Sequence, residues 1–412
     1  MREVTRELPH SFRASVAVQC DNAMSHLATT LAPFSGPGLL ARAERKWAAP
    51  VSIVGVPFDH VTMSEAIGAI EDIIASRRPH YIATANVDFV VQSLEDSELR
   101  CILVEADMVL CDGTPLVWVS RWLGNPLPER VAGADLVPEL LAVAAEKGYR
   151  IFFLGGKPDV AARAVERLRS TYPGIEIAGH YSPPFAPLDK MDHGEICRRI
   201  REAHPDILFV SFGCPKAEKW ISMNHRALGV PVSMGVGATI DFLAGEVKRA
   251  PVWMQRSGLE WLFRFLQEPS RLGPRYAKDL RRFGWAIGRQ LRCVDGECGL
   301  NDALTATFSL QVVRILAPVR LDRSVLMRDL PRRFYLHAQD CVVDLSRTES
   351  LDSTALGWLA RLHRNQRETG RKLILLAPGD SARRALRVTG LDEVLIIADT
   401  EAEVAQLLAN GQ

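Results

Sequence analysis

The sequence predicts an α/β protein of two successive units: a mostly parallel sheet covered by helices and extended by a basic helical appendage, then a second, smaller α/β unit. Three observations carry this. Short apolar runs alternate with helix-period segments over residues 49–255, the pattern of strands buried on both faces of a parallel sheet. The alternation gives way at 256–292 to a stretch dense in arginine and aromatics, and it restarts over 303–412. A chain of 412 residues also exceeds what one hydrophobic core usually serves.

The elements follow in order. Residues 1–48 lack sustained periodicity, contain "APFSGPG" and read as a flexible leader. From "VSIVGVPFD" at 51 the pattern becomes regular, with strand-like runs "YIATANV" (81–87), "ADMVLCDG" (106–113), "YRIFFLGG" (149–156), "IEIAGHY" (175–181), "ILFVSFG" (207–213) and "PVSMGVG" (231–237). Between them lie amphipathic stretches such as 134–148, where Leu136, Leu140 and Val143 share one helix face. Residues 256–292 hold nine Arg or Lys, three acidic residues and six aromatics. Such a segment suits a membrane surface or a polyanionic ligand, and equally a solvated helix pair closing the domain. The second unit supplies "FSLQVVRILAPVRL" (308–321), "DCVVDLS" (340–346), a helix from about 353, "KLILLAP" (372–378) and "EVLIIAD" (393–399), and should have its own core.

Composition narrows the function. With 47% hydrophobic and 24% charged residues the chain has the make-up of an ordinary soluble protein. Lys plus Arg number 50 against 49 for Asp plus Glu, so no whole-protein field favours nucleic acid and no such partner is expected. The eight cysteines are scattered and no secretory signal opens the chain, which points to a reducing cytoplasm. Cys293 and Cys298 frame "CVDGEC" without two further ligands for zinc. No run reaches the ~18 apolar residues that span a bilayer.

The polar residues of the first unit gather where strands end, and ligands of parallel sheets bind there. "TANVD" places Thr84 and Asn86 just past one strand, and "LCDGTP" places Asp112 just past another. "GNPLPERVAGAD" supplies Arg130 before Gly133, and "FLGG" sets Gly155 and Gly156 at a strand–helix junction, where backbone N–H groups can approach an anion or simply turn. A strand-end carboxylate can take a proton from an attacking hydroxyl while a guanidinium neutralises a departing diphosphate. That pairing suits glycosyl transfer from a nucleotide sugar, although Asp112 reads equally as an Asx-type turn residue. Cys214 in "FGCPKAEKW" has no neighbouring histidine to activate it as a nucleophile.

The ordered set "TANVD", "ADMVLCDG", "ERVAGAD", "FFLGG", "FGCPKAEKW", "GVGATIDFLAGEVKRAP" and "GLEWLFR" resembles the WecG/TagA/CpsF glycosyltransferases, glycosyltransferase family 26, over roughly residues 50–285. The resemblance implies a Rossmann-like domain and an inverting, metal-independent transfer without a cofactor. The donor would be a UDP-sugar carrying N-acetylmannosamine or a related hexose, and the acceptor an undecaprenyl-diphosphate-linked saccharide. Consistent with this, no Asp-X-Asp element is present to hold a cation. Asp112 is then the general base, with Thr84 and Asn86 beside it and Arg130 on the donor phosphates. Gly155, Gly156, Lys216, Glu218 and Asp241 fall in matching motifs and are expected to help bind substrate. The appendage is expected to bring Arg264, Arg271 and Arg275 to the site and to touch the inner face of the membrane. Truncation after Pro251 is expected to abolish transfer yet leave a folded core. The chain departs from the family at Ala217, where Gln is usual, and at the two prolines of "GHYSPPF" (179–185). The first bears on sugar selection or affinity, and the second stiffens its loop.

"VVDLSRTESLDSTALGWLARLHR" (342–364) resembles the STAS domain of anti-sigma-factor antagonists. The resemblance implies a docking module for a regulatory protein or kinase, with Ser353 as the phosphorylated residue; on sequence grounds Ser353 is also a good helix N-cap. The alternative to an enzyme is a scaffold that senses UDP-sugar and signals through this second unit.

Overall fold

A computed structural model describes residues 48–246, 250–251, 253–254, 260–267, 269–294, 305–308, 312–322, 325–326 and 340–409, all within one compact unit. The predicted leader up to residue 47 and the side chains of Cys293 and Cys298 lie outside the described residues.

The chain enters through an antiparallel hairpin, β1 (Ala48–Ile53) and β2 (Val56–His60). Its two-residue turn places Val54 at φ 51 and Gly55 at φ 86, a left-handed pair that twists with the strands as hairpin turns do. A β-branched residue is strained there. Helix α1 (Met63–Ser76) then starts with a capping box: the Thr62 side chain accepts from the Glu65 amide, and the Glu65 carboxylate accepts from the Thr62 amide at 2.8 Å.

Strands β3 (His80–Ala85), β4 (Met108–Cys111), β5 (Arg150–Gly155), β6 (Glu176–Tyr181), β7 (Ile207–Ser211) and β8 (Val232–Gly235) form one all-parallel sheet in the order β4-β3-β8-β7-β5-β6. The period-2 alternation divides their side chains between two cores. Tyr81, Ala83, Val109, Leu208 and Val210 face one, and Ile82, Met108, Leu110, Ile207 and Phe209 face the other. Helices α2 (Val87–Ser93), α3 (Ser97–Glu105), α4 (Thr114–Trp122), α7 (His193–Ala203) and α8 (Lys216–Leu228) cover the first face with the hairpin. Helices α1, α5 (Gly133–Lys147), α6 (Pro158–Thr171) and α9 (Thr239–Ala244) cover the second. From β3 the chain steps outward to β4, then crosses to β5 on the far side. The crevice of this reversal lies at the carboxyl ends of β3, β4 and β8.

The basic segment forms α10 (Glu260–Gln267) and α11 (Pro269–Val294). Helix α11 buries Phe283, Ala286 and Ile287 in the hairpin-side core. Its buried Gln290 accepts from the Val54 amide at 2.8 Å and donates to the Ser52 carbonyl at 2.7 Å, holding the strained turn. The sequence-based expectation that truncation after Pro251 leaves an intact core is therefore corrected: the truncated chain would expose this apolar face and orphan two hairpin groups. Gln290→Leu is expected to cost about 2 kcal/mol, read from the urea midpoint, because both backbone groups lose their partner.

The second unit is a mixed sheet in the order β15-β14-β12-β10-β9, where β9 is Thr305–Phe308, β10 Val312–Leu316, β12 Asp340–Asp344, β14 Leu373–Leu376 and β15 Ile396–Ala398. A short pair, β11 (Arg320–Leu321) and β13 (Ser350–Leu351), lies beside it. Helices α12 (Ser353–Glu368), α13 (Asp380–Thr389) and α14 (Glu401–Ala409) pack with these strands. Its core, with Trp358, Leu359 and Leu375, also takes in Val104 from α3 of the first unit.

Candidate active site

Asp112 follows β4 directly. Its backbone N–H continues the sheet by donating to the Ala85 carbonyl at 2.9 Å, and α4 begins two residues later. The Val131 amide donates to the Cys111 carbonyl at 2.9 Å, which brings the start of α5 back over the strand end. There the Gly133 N–H donates to Asp112 Oδ2 at 3.3 Å. A Cβ on Gly133 would lie 3.1 Å from Thr84 Oγ1, so the glycine lets the α5 terminus fit between Thr84 and Asp112. Thr84 is nearly buried on β3 and its hydroxyl points at the Gly235 carbonyl, 3.5 Å away. Asn86 caps α2 by accepting from the Phe89 amide at 3.2 Å. The crevice thus gathers Thr84, Asn86 and Asp112 from two adjacent strands.

Two arginines are held by carboxylates on segments that adjoin these residues in the chain. Arg130 donates to Asp135 at 2.7 Å and to Glu260 of α10 at 3.2 Å. Arg275 of α11 forms a two-point pair with Asp88, two residues beyond Asn86, with its Nε donating at 3.0 Å. Glu260 lay inside the quoted "GLEWLFR" element, but nothing in one dimension showed that it would face Arg130. Arg264 and Arg271 lie on α10 and α11, with side chains outside the described residues.

Other predicted site residues have structural explanations. Gly155 adopts φ +95, and a Cβ there would lie 2.6 Å from the Ser211 carbonyl of β7. The Gly156 N–H already donates to that carbonyl at 3.2 Å. Close packing of β5 on β7 by itself requires a glycine at 155, so the turn alone accounts for that residue type. Asp241 lies on α9 next to Ile240, from which a Cβ on Gly156 would lie 3.6 Å away, and burial raises its carboxyl pKa. Gly155 is three strands from Thr84, roughly 14 Å along the rim.

Lys216 donates to the Ala186 carbonyl at 2.5 Å and sits 5.2 Å from the rings of Phe185 and Phe212, pinning the proline-rich loop. Glu218 lies in the first turn of α8. It is buried under β8, where a Cβ on Gly235 would lie 2.5 Å from its Oε1, and Oε2 has no hydrogen-bond partner among the described residues. Burial pushes its carboxyl up to about 7. Ala217 is likewise in the core. Burial, reinforced by Glu218 and Asp88, raises Cys214 far above the ordinary thiol range, so no thiolate is available for attack.

Sequence profiles decide the family. That of the glycosyl transferase WecG/TagA/CpsF family matches residues 51–295. The chain belongs to this family. Residues 303–397 match the Mlab, STAS domain profile, so this glycosyltransferase carries a STAS domain behind its appendage. It is 37% identical over 191 residues to an N-acetylglucosaminyldiphosphoundecaprenol N-acetyl-beta-D-mannosaminyltransferase of Bacillus spizizenii, covering 46% of this chain and 72% of that protein. The protein of the same name from Bacillus subtilis is 35% identical over 221 residues, 53% of this chain and 84% of its own length. An anti-sigma-factor antagonist (STAS) domain protein from Planctomyces limnophilus aligns with 26% of this chain and 99% of its own at 21% identity and a TM-score of 0.24.

The STAS expectation for Ser353 needs correction in two respects. The N-cap of α12 is Asp352, whose carboxylate accepts from the Ala355 amide at 2.7 Å. Ser353 is the next residue; it is 0% exposed, and its hydroxyl donates to the Leu123 carbonyl of the transferase domain at 3.0 Å. A kinase has no access to that hydroxyl while the two domains are docked.

Proposed function

We propose that this glycosyltransferase moves a hexose or N-acetylhexosamine from a UDP-sugar to a polyprenyl-diphosphate-linked saccharide, with inversion, at the inner surface of the cell membrane. The observation that carries the reading is the convergence of Asp112, Thr84 and Asn86 at one crevice with Arg130 and Arg275 beside it. Asp112 takes the proton of the acceptor hydroxyl. The oxygen attacks the anomeric carbon, the bond from that carbon to the diphosphate breaks, and UDP leaves. Arg130, with the appendage residues Arg271 and Arg275, offsets the charge gathering on the diphosphate. The names of the Bacillus relatives support an N-acetylglucosaminyl-diphospholipid acceptor and N-acetylmannosamine as the sugar moved.

The appendage supports action at a membrane surface. Among the described residues no helix is long and apolar enough to cross a bilayer. Trp261, Leu266, Leu280 and Trp285 nevertheless stand exposed along this basic segment, with Trp253 exposed just before it, the residue types of an interfacial helix. Vesicles containing anionic lipid are expected to sediment the full chain, and Trp261→Ala with Trp285→Ala to weaken that binding about tenfold or more.

Incubation with UDP-N-acetylmannosamine and an N-acetylglucosaminyl-diphospholipid tests the reaction, with the product resolved by mass. Transfer onto the lipid supports the reading; UDP release without lipid product sinks it. Arg130→Lys keeps the charge but loses the planar fork that matches a diphosphate. It is expected to weaken UDP binding about tenfold, measured by calorimetry, as charge-assisted hydrogen bonds are lost.

A further inference from the structure

The STAS helix α12 lies against the transferase at both ends of the segment that bears Asp112. At one end, Arg364 donates to the carbonyl of Asp107, the residue before β4, at 2.8 Å. Beside it Arg361 donates to Asp59 Oδ1 at 2.6 Å, while Asp59 Oδ2 accepts from the Val109 amide of β4 at 2.8 Å. At the other end, the Ser353 hydroxyl donates to the carbonyl of Leu123, the residue that closes α4. Between these grips lie only β4, the Asp112 turn and α4. Asp59, Arg364 and Ser353 are all buried, so none of these bonds is exchanged freely with water.

The helix comes close enough because residue 357 is glycine: a Cβ there would lie 2.1 Å from the Pro50 carbonyl of β1. On the adjoining edge, a Cβ on Gly55 would lie 1.9 Å from the Thr389 carbonyl of α13. Both clashes involve backbone, which cannot swing aside as a side-chain tip does. The STAS domain is therefore fitted to the transferase rather than tethered to it.

We propose that α12 is a positioning element of the transferase: Ser353, Arg361 and Arg364 hold the β4–α4 segment so that Asp112 stays in catalytic register, and undocking the STAS domain slows transfer. The proposal rests on the reading of Asp112 as the base. Register matters because displacing a reacting group by about 1 Å can cost about 100-fold in rate. The coupling needs no long pathway, since the gripped segment itself carries the carboxylate.

The test uses the full chain with Ser353→Glu, Arg361→Met and Gly357→Ala, which disturb the docking surface by charge, by loss of the buried ion pair and by bulk. Hydrogen exchange over α12, over residues 107–114 and over β7 and β8 is read beside kcat and donor KM, with UDP-N-acetylmannosamine and an N-acetylglucosaminyl-diphospholipid as substrates. The expected result is faster exchange in α12 and in 107–114, with β7 and β8 still protected. With it, kcat falls about tenfold or more while KM stays nearly constant, and Arg361→Lys recovers part of the loss. Undocking of α12 with kcat and exchange at 107–114 unchanged overturns the proposal. Continued protection of α12 in all three variants also overturns it, as does loss of protection across the whole sheet, which marks simple structural support. An Asp112→Asn chain run in parallel separates the two readings: if it turns over normally, the base assignment fails, while the exchange at 107–114 still judges the clamp.

Discussion

Asp112→Asn is expected to lower sugar transfer by about 100- to 10,000-fold while leaving the fold and UDP binding intact. The backbone contacts that place the residue do not involve the carboxylate, since its N–H donates to the Ala85 carbonyl. The Gly133 contact survives as well, because an Asn carbonyl oxygen can accept from the Gly133 N–H as Asp112 Oδ2 does. What disappears is the capacity to take a proton at neutral pH. Initial rates on the lipid acceptor, with UDP binding measured separately, check this. A variant that keeps a tenth of the wild-type rate would remove Asp112 from the role of base.

The second large effect concerns stability. Burial holds the Glu218 carboxyl at about 7 against an ordinary 4.5, so the folded state keeps its proton over a range where the unfolded chain releases it. The favourable contribution is fully present below pH 4.5 and is lost as pH rises through about 7. The loss corresponds to about 3 kcal/mol. Glu218→Gln retains the shape and cannot ionise. Urea midpoints measured from pH 4.5 to pH 8 should therefore converge at the acid end. At the alkaline end the variant should be more stable by up to about 3 kcal/mol. Parallel pH profiles for the two proteins would show that Glu218 reaches solvent or a cation when folded.

The central strands were legible because burial on both faces writes itself as uninterrupted apolar runs, and "YIATANV", "YRIFFLGG" and "ILFVSFG" all lie where β3, β5 and β7 fold; β9, which apart from Phe308 lies outside the runs read as strands, was not. The crevice was legible in part for a related reason. Polar residues directly after such runs, as in "TANVD" and "LCDG", have nowhere to go but the rim of the sheet. The glycine pair at 155–156 was legible as a strand–helix junction, but a tight turn and an anion site use the same residue type for the same freedom. The burial of Glu218 was not legible, because a charged residue at a helix start usually faces solvent, whereas here the missing Cβ of Gly235 makes room for it inside.

By itself the sequence determined the α/β class, the division at the basic segment, the family and the strand-end residues around Asp112. Each of these depends on local periodicity or on contiguous motifs. Only the tertiary structure decided that Arg130 rests on Glu260, that α11 braces the Val54 turn through Gln290 and that Ser353 is closed against Leu123. These contacts join residues 130, 236 and 230 positions apart. They arise from how packed elements meet, and neither propensity nor spacing along one chain encodes that meeting.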